Sequence, residues 1–197
     1  SHAVTPVGLT HTVELTDLAV VVVGYGSIGS RHVRILRQLG YSTAVVSRRE
    51  TDHERHYVGL QGALDNESPD YVVIANRTSE HYDTFKALAR ASYRNRVLVE
   101  KPLFDSFRPV PPHHFAQGFV GYNFRFHPVI RQLRVLLQGQ KAISAQVYVG
   151  QHLPNWRPDF DYRQSFSSQK SGGGGVLRDL SHELDLVNWF FHGWTRL

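Results

Sequence analysis

Cysteine and methionine are both absent from these 197 residues. Without thiols there is no disulfide framework, no thiolate metal site and no cysteine nucleophile. Ser1-His2-Ala3 stands where an initiator methionine would be, the pattern a cleaved purification tag leaves. Loss of modified methionines from the sequence would leave the same gap, and short spacings are then uncertain by one. Residues 1–17 are expected to be a leader or tag remnant. No apolar run approaches the roughly 18–20 residues of a membrane-spanning helix, and no signal-peptide pattern opens the chain, so a cytoplasmic location is expected. Charge of one sign is not in large excess either: 22 Lys and Arg face 17 Asp and Glu, a formal +5. The basic residues are scattered rather than gathered into a stripe with stacking aromatics, which argues against a nucleic-acid partner. Small anionic ligands need only local positive charge.

What is present describes a folded domain. Hydrophobic residues make up 41% and aromatic residues 12% of the chain. A chain this long buries roughly two-thirds of its unfolded surface and needs no metal or disulfide staple. Leu18 to Val23 is a continuous apolar, β-branched run, the signature of a strand buried on both faces. Ile28, Val33, Ile35, Leu36 and Leu39 then recur at near-helical spacing, and Gly40 closes that helix. Strands are expected at 42–47, 71–75 and 97–99, with a helix over 79–91 and only polar chain over 48–68. Strands alternating with helices mean parallel βαβ units. Right-handed crossovers place every strand's C-terminal end on one edge, where such sheets bind ligands. Gly24–Gly29, Asn76–His81 and Glu100–Pro102 all fall on that edge.

Beyond residue 102 the pattern changes. Pro109, Pro111 and Pro112 break any long helix in 103–118. A strand is expected at 119–122, and a helix over 127–139 with Val129, Ile130, Leu133, Leu136 and Leu137 inward. An alternating strand follows at 142–150, then a long polar and aromatic loop over 151–171 and a last helix over 176–191. The division expected is a first domain over 18–118 and a second over 119–197.

Four motifs carry chemistry. Gly24-x-Gly26-x-x-Gly29 lies between a strand and a helix. The first glycine allows the tight turn, the second lets backbone approach a pyrophosphate, and the third lets helix and strand pack closely. Gly24, Gly26, Ser27, Ile28 and Gly29, at a helix N-terminus, form the expected anion cradle. After the second strand, Ser47-Arg48-Arg49 replaces the carboxylate that would hold a ribose diol. Two arginines there suit a 2′-phosphate and favour NADP, with NAD the alternative. Glu100-Lys101-Pro102 ends the fourth strand. A lysine there faces the cofactor crevice, where a lowered pKa would help it exchange a proton with a substrate hydroxyl, and Pro102 allows a cis bond. Asp179 and His182 share a face of the last helix, and histidine suits proton transfer near neutrality. No metal site is expected, since no His-x-x-x-His or thiolate pattern accompanies them.

Together with Val120-Gly121-Tyr122-Asn123-Phe124-Arg125-Phe126-His127-Pro128 and Gly173–His182, these motifs resemble the Gfo/Idh/MocA family of nicotinamide-dependent oxidoreductases over about residues 18–194. The resemblance implies an N-terminal Rossmann, doubly wound parallel sheet followed by an incomplete α+β domain with an open mixed or antiparallel sheet that often mediates homo-oligomers. It implies hydride transfer at a hydroxyl or keto carbon of a sugar, cyclitol or nucleotide-sugar. The family's catalytic lysine, histidine and neighbouring aspartate correspond to Lys101, His182 and Asp179. Two residues separate Asp179 from His182 where many members have three, Asn76-Arg77 replaces a commoner Thr-Pro, and the family's second domain continues past Leu197. The nicotinamide ribose is expected near Asn76, His81 and Glu100. Candidate sugar contacts are Tyr122, Asn123, Arg125, Trp156 and Arg157. The rival readings are a non-catalytic dinucleotide-binding or assembly subunit of the same fold, and a methyltransferase, which would leave Glu100-Lys101-Pro102 without a role.

Overall fold

The structure is a computed structural model and describes residues 18–150 and 181–191. Its centre is a six-stranded, wholly parallel sheet of β1 (Ala19–Val23), β2 (Ser42–Val46), β3 (His56–Tyr57), β4 (Tyr71–Ile74), β5 (Arg96–Val99) and β6 (Gln117–Val120), in the order β3-β2-β1-β4-β5-β6. That is the strand order of the Rossmann fold.

Side chains alternate across the sheet and divide the core in two. Val21, Val23, Ala44, Val46, Val72, Ile74, Val97 and Val99 face one side, where α2 (Leu60–Glu67) and α3 (Thr78–Arg90) cover them with Ala63, Phe85 and Leu88. Val20, Val22, Val45 and Val73 face the other side, covered by α1 (Ser27–Gln38) through Val33 and Leu36. Helices reach both faces because β1 steps to β2 in one direction and β4 to β5 in the other, while each crossover keeps its right hand. The reversal lies between β1 and β4, and a crevice opens there at the C-terminal edge.

Several expectations change. The polar stretch 48–68 contains β3 and α2. The helix signal is slight, with Leu60, Ala63 and Leu64 as its apolar stripe and Gly62 inside it. The strand expected at 119–122 is β6, and it pairs with β5 in the first sheet, Leu98 opposite Phe119. A boundary between 118 and 119 therefore falls inside a strand of that sheet. Residues 142–150 form no strand, and Ile143 is 99% exposed. Alternation makes a strand only where a neighbour accepts its N–H groups, and among the described residues none lies alongside. The helix expected over 127–139 is α4 (Pro128–Leu137), yet Val129, Leu133 and Leu136 are exposed rather than inward. The last helix is described as α5 (Ser181–Phe191). No helix among the described residues is long and apolar enough to cross a membrane.

Candidate active site

The edge loops are held by the sheet itself. Gly24 N–H donates to the Val46 carbonyl, Ala75 to Val23, Glu100 to Ile74 and Gly121 to Val99, at 2.8–2.9 Å. Each loop therefore starts from a fixed backbone position.

In the glycine turn the three positions differ in kind. Gly24 has φ +94°, and a Cβ there would lie 2.5 Å from the Asn76 backbone. A Cβ on Gly29 would lie 1.9 Å from the Gly24 carbonyl oxygen. Both glycines are required by packing. A Cβ on Gly26 would meet nothing within 4 Å, so that missing side chain serves no contact inside the protein. It leaves the start of α1 open, where the amides of Ser27 and Ile28 and the helix dipole face an incoming anion. The chain thus fits a dinucleotide pyrophosphate at this turn.

At the end of β2, Arg49 N–H donates to Ser47 Oγ at 3.1 Å and Ser47 Oγ donates to the Arg49 carbonyl at 3.0 Å. Arg48, the first arginine expected to meet a 2′-phosphate, instead forms an ion pair with Glu80 in the first turn of α3. Arg49 is exposed.

Asn76 donates through Nδ2 to Thr84 Oγ1 at 2.8 Å, while its Oδ1 is buried with no hydrogen-bond partner. An orphaned acceptor costs free energy unless a donor fills it, and a ribose hydroxyl is such a donor. His81, also expected at the cofactor, is 1% exposed and lies beneath the edge. Its Nδ1 is 3.0 Å from the Pro102 carbonyl and its Nε2 3.2 Å from the Asn76 carbonyl. Burial holds its pKa below the ordinary histidine value, against the pull of these carbonyls. His81 positions the two loops that reach the crevice and has no face left to touch a ligand.

Glu100 Oε1 lies 2.7 Å from His32 Nε2, and both side chains are about three-quarters buried. A Cβ on Gly121 would come within 3.1 Å of the Glu100 carboxylate, so this carboxylate occupies the space left by Gly121. The Lys101-Pro102 bond is cis.

After β6 the chain makes a short 3-10 turn over Asn123–Phe126 and enters α4 at Pro128. Arg125 grips Asp185 of α5 with both arms, Nε to Oδ2 at 2.8 Å and Nη2 to Oδ1 at 2.5 Å. Trp189 adds its ring to the same joint, 5.5 Å from the Arg125 guanidinium and 4.0 Å from that of Arg134. Arg125, expected as a sugar contact, is therefore committed to holding α5. The joint seats His182 over the turn, its ring stacked on Phe124 and edge-on to Tyr122. Burial lowers the pKa of His182 first, and the Lys101 charge lowers it further, against Glu183, Asp185 and Glu100. Its Nδ1 is buried without a hydrogen-bond partner. The Lys101 charge thus reaches His182, 81 positions away in sequence. Asn123 is exposed beside them. Trp156, Arg157 and Asp179 lie outside the described residues.

Residues 18–110 match the model of a family described as "Oxidoreductase family, NAD-binding Rossmann fold". That model is the one named for the Gfo/Idh/MocA family, and it matches a little under half of the chain. A search of the curated proteins finds no match. Among solved structures, the chain is similar to the WlbA (WbpB) dehydrogenase from Thermus thermophilus in complex with NAD and UDP-GlcNAcA, at 17% identity and a TM-score of 0.67, over 91% of this chain and 64% of that one. It is similar to GenD2 from gentamicin A biosynthesis in complex with NAD, at 25% identity and a TM-score of 0.66, over 95% of this chain and 56% of that one. A third is myo-inositol 2-dehydrogenase from Lactobacillus plantarum, at 19% identity and a TM-score of 0.66, over 88% and 56% of the two chains. The chain thus spans 56–64% of the length of these structures. The likenesses at 17% and 19% identity establish the shared fold.

Within the matched region, Gly24, Gly26, Ser27, Ile28, Asn76, Glu100 and Lys101 share the edge. Tyr122 and His182 join them from outside the family match. His32, Glu80, Phe124 and Asp185 were given no role from sequence. His32 carried one signal, since it follows Gly29 by three positions and so shares its helix face. Glu80 carried none.

Proposed function

We propose that this chain carries the coenzyme-binding and reacting part of an NAD-dependent dehydrogenase acting on a hydroxyl-bearing carbon of a sugar, cyclitol or nucleotide-sugar. The observation that supports it is the open turn after Gly26, where a Cβ would meet nothing, on the same sheet edge as Lys101, whose charge reaches His182. The amides after Gly26 would hold the pyrophosphate, and Asn76 Oδ1 would accept from a ribose hydroxyl. NAD, when bound, supplies the hydride acceptor.

The proton falls to the chain's own side chains. His182 is held below its ordinary pKa, so its ring is neutral at physiological pH and accepts the proton of a substrate hydroxyl. The Lys101 ammonium stabilises the negative charge that develops on that oxygen. Stacking on Phe124 fixes the plane in which the imidazole works. Tyr122, Asn123, Trp156 and Arg157 complete the reading as sugar contacts and Asp179 as the neighbour of His182, with the chain beyond β6 forming the substrate and subunit-contact region.

The test is oxidation of a panel of aldoses, cyclitols and nucleotide-sugars with NAD, followed by the near-ultraviolet absorbance of the reduced nicotinamide. Turnover that falls by about a hundredfold or more in Lys101→Met, with NAD affinity kept, is expected. NAD binding without turnover of any panel member would leave the non-catalytic subunit in its place.

A further inference from the structure

A Rossmann fold that takes NAD ordinarily keeps a carboxylate at the end of its second strand, hydrogen-bonded to the adenosine ribose diol. After β2 this chain has Ser47-Arg48-Arg49 and no acid at that point. In space, however, a carboxylate reaches the side chain of Arg48. Glu80 sits in the first turn of α3, after β4, and is ion-paired with Arg48. In the strand order β2-β1-β4, the pair spans the C-terminal edge over the end of β1, beside the glycine turn. Arg48 engages one oxygen, Oε1, and a carboxylate with roughly four lone-pair sites keeps acceptor capacity for a hydroxyl. The positive end of α3 favours the charge of Glu80 where it stands. The two side chains are 77% and 33% exposed, so both are within reach of a ligand, and such a pair holds its partners only lightly.

We propose that Glu80 selects NAD over NADP: delivered from α3 and held at the end of β2 by Arg48, its carboxylate accepts the adenosine 2′-hydroxyl and turns away a 2′-phosphate. The inference rests on the coenzyme site proposed above. It reverses the meaning of the arginine pair. Arg48 serves as a holder for the acid, and only Arg49 remains to attract a phosphate. Removing the charge of Glu80 releases Arg48, and two arginines then face the ribose, an arrangement that suits the 2′-phosphate.

Dissociation constants for NAD and for NADP, measured by calorimetry on the purified protein without substrate, test this for the wild type, Glu80→Gln and Glu80→Gln with Arg48→Ala. The wild type is expected to bind NAD more tightly. Glu80→Gln is expected to weaken NAD and strengthen NADP, moving the affinity ratio by about tenfold or more, and the added Arg48→Ala to remove the gain for NADP. A ratio in Glu80→Gln within twofold of the wild type, or a wild type that prefers NADP, overturns the assignment of Glu80 and leaves the coenzyme site standing. Failure of the wild type to bind either dinucleotide overturns the coenzyme site itself. Arg48 is exposed and Glu80 partly so, and matched thermal melts confirm that the variants are folded.

Discussion

The imidazole of His182 lies flat on the ring of Phe124, 4.2 Å between centroids and 15° between planes. A helix more than fifty residues downstream is thereby registered on the turn that follows β6. The stack fixes the ring plane, and the Arg125–Asp185 fork fixes the helix that carries it.

The Lys101 charge contributes to the lowered pKa of His182. Lys101→Met is therefore expected to raise that pKa, read from the imidazole proton shifts in an NMR titration. An unchanged titration would mean the two groups do not meet in solution.

His53, His81 and His182 all have folded-state pKa values below 6.5, with burial the largest cause in each. The unfolded chain then binds more protons between those depressed values and about 6.5, so stability rises with pH across that window. Stability is expected to be complete above pH 6.5 and to fall as the pH drops below it. Melting temperatures taken from about pH 7.5 down to about pH 5.5 should decline. A flat or rising series would contradict the burial of these rings.

Two glycines of one turn should respond differently to alanine. Gly29→Ala drives a Cβ into the Gly24 carbonyl and is expected to cost about 3 kcal/mol or more, seen as a lowered melting temperature. Gly26→Ala meets open space, so its stability should be unchanged while NAD affinity drops at least about tenfold. Equal stability losses in both would remove the argument that Gly26 is kept for a ligand.

Arg125→Gln leaves the carboxylate of Asp185, 8% exposed, without its partner. The expected cost is about 3 kcal/mol, because a largely dry charge is left unpaired. Chemical denaturation measures it. Adding Asp185→Asn should restore much of the loss, whereas additive losses would mean that the fork does not couple the two residues.

The first sheet was legible because its strands are buried on both faces and therefore read as unbroken apolar runs. Ala19–Val23 and Tyr71–Ile74 are unmistakable for that reason. β3 was not, because two residues, His56 and Tyr57, carry no periodicity. The run 142–150 misled in the opposite way, since its alternation describes a surface and says nothing of a partner. At the site, Gly24–Gly29 and Glu100-Lys101-Pro102 were legible because each is local to one strand end. Arg48–Glu80 and Arg125–Asp185 join positions 32 and 60 apart, and both arginines had therefore been assigned to ligands rather than to carboxylates of the chain. His81 was placed at the coenzyme on its position in the loop, whereas α3 turns it inward.

That inward turn has a mechanical result. One imidazole stands between the backbone of Asn76 and that of Pro102, and a neutral ring has a single proton to give them. The loop that carries the Asn76 amide and the peptide that joins Lys101 to Pro102 both rest against this one ring. That one proton can go to only one carbonyl at a time, so the tautomer of His81 decides which of the two loops the ring holds by a hydrogen bond.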